Sequence, residues 1–216
     1  YRNNYEYMII LDSDSLMDDR SIIKIVKTME YNDNIAIIQP TIYPINGESI
    51  FQKSTQYIGQ IINPMIFKGL SFLTGKNSFY YGHNCIIRIK PFFDLCKTDN
   101  VLSHDFVESA ILTSNEYDIY NIHVDSGSYE EIPPNFLDSI SRDTRWMKGN
   151  FQHFILAFKL KINLFNRIQL MSTSMIYLCS ILWIILIIQG IFQSLFYKSF
   201  IENNFYTSVL PLIIMF

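Results

Sequence analysis

From Ile168 to Tyr197 the sequence runs for thirty residues without a charged side chain. A bilayer core about 30 Å thick is crossed by about 20 helical residues, so this run is long enough to span it with some tilt. A core helix of a soluble domain seldom needs so long an uncharged stretch, and a transmembrane helix over about 168–197 is the expectation. The chain is divided accordingly. Charged residues crowd the region before Ile168, and after it only Lys198 and Glu202 remain. Tyr206 to Phe216 has the composition of a second span beginning. Between Trp146 and Arg167 the basic residues Lys148, Lys159, Lys161 and Arg167 stand without an acid. The positive-inside rule therefore puts the preceding domain in the cytoplasm. The expected organisation is a catalytic part over 1–166 and a membrane region over 167–216.

Ahead of the span, Tyr7 to Leu11 is an apolar run that ends at Asp12-Ser13-Asp14, which predicts a buried strand with carboxylates at its C-terminal end. Asp18 to Tyr31 predicts a helix with Ile22, Ile25, Val26 and Met29 on one face. Ile35 to Gln39 reads as a second buried strand, stopped by Pro40. This alternation points to an α/β fold with a mainly parallel sheet. Further on, Ser49 to Ile62 predicts a helix, Cys85 to Ile89 a strand, and Ser103 caps a helix that reaches Ser114. Tyr117 to His123 predicts another strand, and Pro133-Pro134 precedes a long helix from Phe136 to Lys161. The stretch from Pro64 to Gly82 carries no clear period.

Composition removes some functions. With a net charge of −3 and no basic stripe, nucleic acid is excluded as the main partner. Cys85, Cys96 and Cys179 form no CxxC pair, so neither a disulfide framework nor a zinc knuckle is expected. The sequence opens without Met, almost directly on a strand, and closes inside an apolar run. Both ends read as truncated.

Three clusters carry the chemistry. Asp12 and Asp14, two residues apart just past a strand, can face one hard divalent cation such as Mg²⁺ or Mn²⁺ shared with a diphosphate. Alone, the pattern also describes a solvated loop. It resembles the nucleophile loop of haloacid-dehalogenase-type phosphotransferases as well, but Leu16 stands where that loop carries Thr or Val. Asp105, in Ser103-His104-Asp105 at a helix start, is either a cap for free N–H groups or a general base for an attacking hydroxyl. Arg142, Arg145 and Trp146 share a helical face. Guanidinium groups suit a diphosphate and an indole suits a sugar ring, while an amphipathic helix at a membrane surface uses the same residues.

In this order, DxD, an acidic site and RxxRW before a membrane span resemble the D…DxD…TED…QxxRW signature of processive family 2 glycosyltransferases, such as cellulose, chitin and hyaluronan synthases. Here Ser103-His104-Asp105 replaces TED and Arg142 stands at the usual Gln. The stretches 81–88, 102–108, 127–135 and 142–150 look much like the glucosyltransferases that build osmoregulated periplasmic glucans. That resemblance covers essentially the whole chain. It implies a partial GT-A (Rossmann-like) domain followed by transmembrane α-helices, in a multi-pass protein of the inner (cytoplasmic) membrane. It implies transfer of glucose from UDP-glucose to a β-1,2-linked glucan with inversion, assisted by Mg²⁺ or Mn²⁺, and export of the product. Under it, Asp12 and Asp14 sit at the metal, Asp105 is the base, and Arg142 and Arg145 hold the diphosphate. Trp146 stacks on the acceptor sugar, and Gly82, His83 and Asn84 line the acceptor side or simply form a turn. The implied partners are UDP-glucose, the glucan acceptor, the lipid bilayer and a periplasmic glucan-processing protein. The alternatives are a cellulose- or hyaluronan-like synthase and an inactive truncated membrane remnant, since the nucleotide-binding first half of a GT-A domain is expected before Tyr7.

Overall fold

Ile35–Pro40, buried at every position, is the strand around which the chain is organised. The computed structural model describes residues 4–98, 100–123 and 127–196. In chain order the elements are β1 (Tyr7–Ile10), β2 (Ser15–Met17), α1 (Asp19–Tyr31), β3 (Ile35–Pro40), β4 (Ile42–Ile45), α2 (Ile50–Thr74) and β5 (Cys85–Arg88). They continue with α3 (Ile89–Leu95), α4 (His104–Ser114), β6 (Asp118–Ile122), β7 (Ser128–Glu131), α5 (Phe136–Lys159) and α6 (Leu164–Phe196). The fold is mixed α/β, and the chain divides into compact units over Tyr1–Thr173 and Ser174–Phe216.

One sheet has the order β1-β5-β3-β6. β3 and β6 are parallel, but β5 runs antiparallel to both β1 and β3. The expectation of a mainly parallel sheet is therefore corrected. A short, fully buried strand such as Cys85–Arg88 satisfies either direction equally, because period and burial carry no polarity. Two apolar layers flank the sheet. Ile25 and Met29 of α1 pack with Ile35, Ile38 and Ile86 on one face. Ala36, Ile37, Tyr80, Ile87, Leu112 and Ile119 pack on the other. Each fully buried Ile contributes about 1.5–3 kcal/mol by removal from water. A register shift between Ile35 and Ile37 lets Ala36 and Ile37 both join the second layer.

β1 is an edge strand, half-buried rather than buried, and Leu11 beyond it is exposed. A second sheet, β2-β7-β4, was not expected from the sequence. Its strands have three or four residues and include Pro44, too short to show alternation. The helix expected to stop near Ile62 continues through Pro64 to Thr74. Its start is fixed by a capping box between Ser49 and Gln52. Around the proline, Gln60 and Asn63 donate to the carbonyls of Pro44 and Ile42, so tertiary bonds hold the helix where propensity would end it.

Val107 and Ala110 of α4, Ala157 of α5, and Ile162 and Leu170 form a third apolar cluster. Asn163 caps α6 by accepting from the Asn166 N–H. Within α6, Leu164–Gln193 is long and apolar enough to cross a membrane, and it overlaps the stretch 168–197 where a span is expected. It is the single such helix among the described residues. The expected second span at 206–216 lies outside them.

Candidate active site

The antiparallel pairing of β1 with β5 sets the geometry. Ile10, the last residue of β1, pairs with Cys85, the first of β5. The chain leaving β1 at Asp12-Ser13-Asp14 therefore meets the chain entering β5 at Gly82-His83-Asn84. β3 ends at the same edge, with Ile38 opposite Ile86, and β6 follows it in parallel. The carboxyl ends of β1, β3 and β6 thus share one rim, the place where open α/β sheets take ligands.

The Asp12 turn is closed by the Ser15 N–H donating to the Asp12 carbonyl at 3.1 Å. It is tied to the second sheet by the Glu131 N–H donating to the Asp14 carbonyl at 3.2 Å. Both carboxylates face solvent, and the Asp12 side chain is 64% exposed. Among the described residues no Lys or Arg is paired with either one, and no three His, Cys, Asp or Glu side chains gather as a metal cluster. Two carboxylates free of Lys and Arg suit a hard divalent ion that takes its other ligands from a diphosphate.

His83 stands between acids. Its Nε2 lies 3.3 Å from Glu130 Oε2, and its Nδ1 lies 3.0 Å from the Tyr81 carbonyl and 3.9 Å from Asp12 Oδ2. Burial alone lowers its pKa, but Glu130 and Asp12 outweigh burial and the net direction is upward. Both ring nitrogens face acceptors, which is the arrangement an imidazolium satisfies. Asn84 adopts a left-handed backbone (φ 51°), and its Nδ2 donates to Ser128 Oγ and the Tyr129 carbonyl. Gln39, at the end of β3, holds this loop. Its Nε2 donates toward the His83 and Asn84 carbonyls, and its Oε1 accepts from the Tyr81 N–H at 2.9 Å.

Gly82 has φ +83°, and a Cβ built there would lie 3.7 Å from Asp105 Cβ. The acid at the start of α4 therefore faces the loop that leads into β5. Asp105 is half-buried. Burial raises its pKa, while the Ser103 hydroxyl, the charge of His104 and the N–H groups of Asp105 and Phe106 lower it; the net direction is upward. A carboxylate shifted this way is a better proton acceptor near neutrality. Ser103 occupies the cap position as expected, but its hydroxyl makes no cap bond and donates to Asp105 Oδ1 at 3.1 Å. Both readings of Asp105 thus have a physical basis, since its carboxylate also engages helix N–H groups.

Beneath Asp105, buried Glu108 accepts from the Tyr80 hydroxyl and from Thr98 Oγ1 at 2.7 Å, and faces His104 Nδ1 at 3.1 Å. Tyr80 is wholly buried, and burial followed by the Glu108 charge keeps its phenol protonated. The Glu108 carboxylate thereby joins the residues before Gly82 to the helix that carries Asp105.

Arg142, Arg145 and Trp146 lie on α5. The Arg142 guanidinium sits 4.5 Å over the Trp146 ring, as positions four apart on a helix allow, and its Nε donates to Asp143. Arg145 is exposed and forms no ion pair among the described residues. No hydrogen bond or ring contact among the described residues joins these three to Asp12, His83 or Asp105. The structure brings Asp12, Gly82, His83, Asn84 and Asp105 to one rim and leaves the α5 trio as a separate group.

Sequence reasoning gave no role to Gln39, Glu108 or Glu130. Gln39 did carry a signal, as the polar end of an otherwise apolar strand. Tyr80 reaches Glu108 from 28 residues away and His83 reaches Glu130 from 47, which no local pattern records; of the Glu108 partners, His104 alone lies one helical turn off.

The sequence model of glycosyl transferase family group 2 matches residues 7–216. The chain is 33% identical over 196 residues to the glucans biosynthesis glucosyltransferase H of Cupriavidus pinatubonensis, covering 86% of this chain and 23% of that protein. It is 34% identical over 196 residues to the protein of the same name from Pectobacterium atrosepticum, with the same coverage. Against that of Salmonella typhimurium it is 35% identical over 191 residues, covering 84% of this chain and 23% of the relative. The chain therefore spans about a quarter of the length of these relatives.

Proposed function

The chain belongs to glycosyl transferase family group 2, and we propose that it carries the transfer site of a membrane-bound glucan synthase that uses UDP-glucose. In this reading residues 1–166 belong to a cytoplasmic GT-A domain, and 167–216 belong to the membrane region through which the glucan leaves. An acceptor hydroxyl attacks the anomeric carbon of glucose as the bond from that carbon to the diphosphate breaks, with inversion. Asp105 takes the hydroxyl proton, and UDP departs with the bonding electrons. Proton removal by a positioned base is worth roughly 10²- to 10⁴-fold. Asp12 and Asp14 would hold a divalent ion, which supplies charge stabilisation to the leaving diphosphate. Arg142 and Arg145 contribute forked hydrogen bonds to the same group, and Trp146 offers its ring to the acceptor once Arg142 moves off it. The product is a β-1,2-linked backbone.

One observation supports this reading above the others: the β1–β5 register sets Asp12 beside His83 while Gly82 faces Asp105. Acids suited to a diphosphate-bound cation and an acid suited to proton transfer then flank a single short loop. The test is transfer of radiolabelled glucose from UDP-glucose to β-1,2-glucan in membranes that contain the full-length protein. Asp12→Asn and Asp14→Asn should each lower transfer by about 100-fold or more, the scale of losing an electrostatic contact to the leaving group. Chelation should abolish wild-type transfer, and added Mn²⁺ or Mg²⁺ should restore it. Wild-type rates in both variants would refute the metal assignment. Label appearing in a β-1,4 polymer would redirect the reading to a cellulose-like synthase.

A further inference from the structure

His153 is wholly buried in α5, two turns beyond Trp146. Its Nε2 lies 2.7 Å from the Ser103 carbonyl, and its Nδ1 lies 2.8 Å from Thr173 Oγ1. Two neighbours on the same helix grip the same turn. Gln152 Oε1 accepts from the Leu102 N–H at 2.9 Å. A Cβ on Gly149 would come within 2.6 Å of Ser103 Cβ, so the absence of a side chain there lets α5 close onto the turn. The Phe106 ring lies tilted against the imidazole, centroid to centroid 5.6 Å. Ser103, held in this way by its backbone, directs its hydroxyl at Asp105.

We propose that His153 is a positioning residue for glucosyl transfer, holding the Ser103 carbonyl so that the turn bearing Asp105 keeps a fixed place against α5. The inference rests on the reading of Asp105 as the base and deepens it. A carbonyl only accepts, so Nε2 carries a proton. Burial favours the neutral ring, with the Ser103 bond working the other way. In that ring Nδ1 is an acceptor, and the Thr173 hydroxyl, which lies 2.8 Å both from it and from the Leu170 carbonyl, can give its one proton to either. The tautomer is thus set by the Ser103 carbonyl, and the Nε2–H points one way only. The helix that carries Arg142, Arg145 and Trp146 and the turn that carries Asp105 are pinned together through this ring.

The test separates hydrogen bonding from packing in the full-length protein in membranes. His153→Gln keeps a donor near the Nε2 position, whereas His153→Asn is too short to reach Ser103. His153→Asn should lower kcat by about 100-fold, the scale of a displaced catalytic group, with the KM for UDP-glucose unchanged. His153→Gln should recover most of that loss. Asp105 is faced by His104 on its own helix, by Tyr80 and Tyr81 ahead of β5 and by Cys85 on it, and Ser103 is the neutral donor that favours its ionised form. Displacing Ser103 should therefore move the acid limb of the pH–rate profile of His153→Asn to higher pH. Wild-type kcat with an unmoved acid limb would overturn the proposal. So would equal losses in the two variants, or a raised KM, either of which marks a general packing role. Asp105→Asn, run alongside, keeps the two claims apart. An active Asp105→Asn defeats the base reading itself, whereas an inactive one beside a normal His153→Asn defeats only the clamp.

Discussion

Asp105 is held under opposing demands. Its surroundings push its pKa up through burial, yet Ser103 and the first N–H groups of α4 still favour the carboxylate. A group whose folded pKa lies above its ordinary value binds its proton more tightly in the folded state. The stability it lends is complete below the ordinary pKa and is lost as pH rises through the raised value. An ionised Asp105 therefore costs stability at pH 7, a cost that function justifies if the carboxylate must accept a proton. Asp105→Asn removes that cost while keeping the shape. It should abolish transfer, leave UDP binding intact and melt at or above the wild-type Tm at pH 7. Paired thermal melts and UDP titrations check this, and a lowered Tm with residual transfer would instead make Asp105 a helix cap. At this scale the sequence was partly legible. Asp12, Asp14 and Asp105 stood out as acids at element ends. Glu130 and His153 did not, because their side chains are explained by partners that local spacing cannot show.

Between elements, the decisive feature is the direction of β5. Had Cys85–Arg88 run parallel to β1, its amino end and the loop before it would lie at the opposite rim from Asp12. The strand itself was readable from four apolar or amphipathic residues, but its direction was not, and neither was the second sheet that ties Asp14 to β7. Helices were more legible, since a period of 3.6 survives over two or three turns. α1, α4 and α5 begin within a residue or so of their expected starts. Contact between α5 and the turn before α4 is equally specific, and Gly149 leaves no room there for a side chain. Gly149→Val would drive a branched side chain into Ser103, at the roughly 1–3 kcal/mol typical of overpacking. The expected outcome is a lower Tm together with a loss of kcat, measured by melts and by transfer kinetics on the same membranes. A fall in Tm with kcat preserved would show that the α4 turn can shift without consequence for Asp105.

For the whole molecule, the argument turns on how few charges follow Ile168 and where the last ones before it lie. Leu164–Gln193 offers 30 residues, about 45 Å of helix at 1.5 Å per residue, against a hydrocarbon core of about 30 Å. Lys148, Lys159, Lys161 and Arg167 all precede the uncharged run, and no acid offsets them. Long loops translocate with little regard to charge, but basic residues within about 15–20 positions of a span do set its orientation. Lys159, Lys161 and Arg167 fall inside that window, and under the proposed function they would hold the preceding domain in the cytoplasm. A reporter that acquires alkaline phosphatase activity only outside the cytoplasm should therefore be inactive when fused after Arg167 and active when fused after Phe196. Ile184→Arg, near the middle of the helix, should cost about 2.5–3.5 kcal/mol of insertion and shift the longer fusion toward the inactive state. Activity in the shorter fusion would invert the topology and put Asp105 on the wrong side of the membrane for its donor. Equal inactivity in both would mean that α6 does not cross at all, and would refute the proposed membrane region.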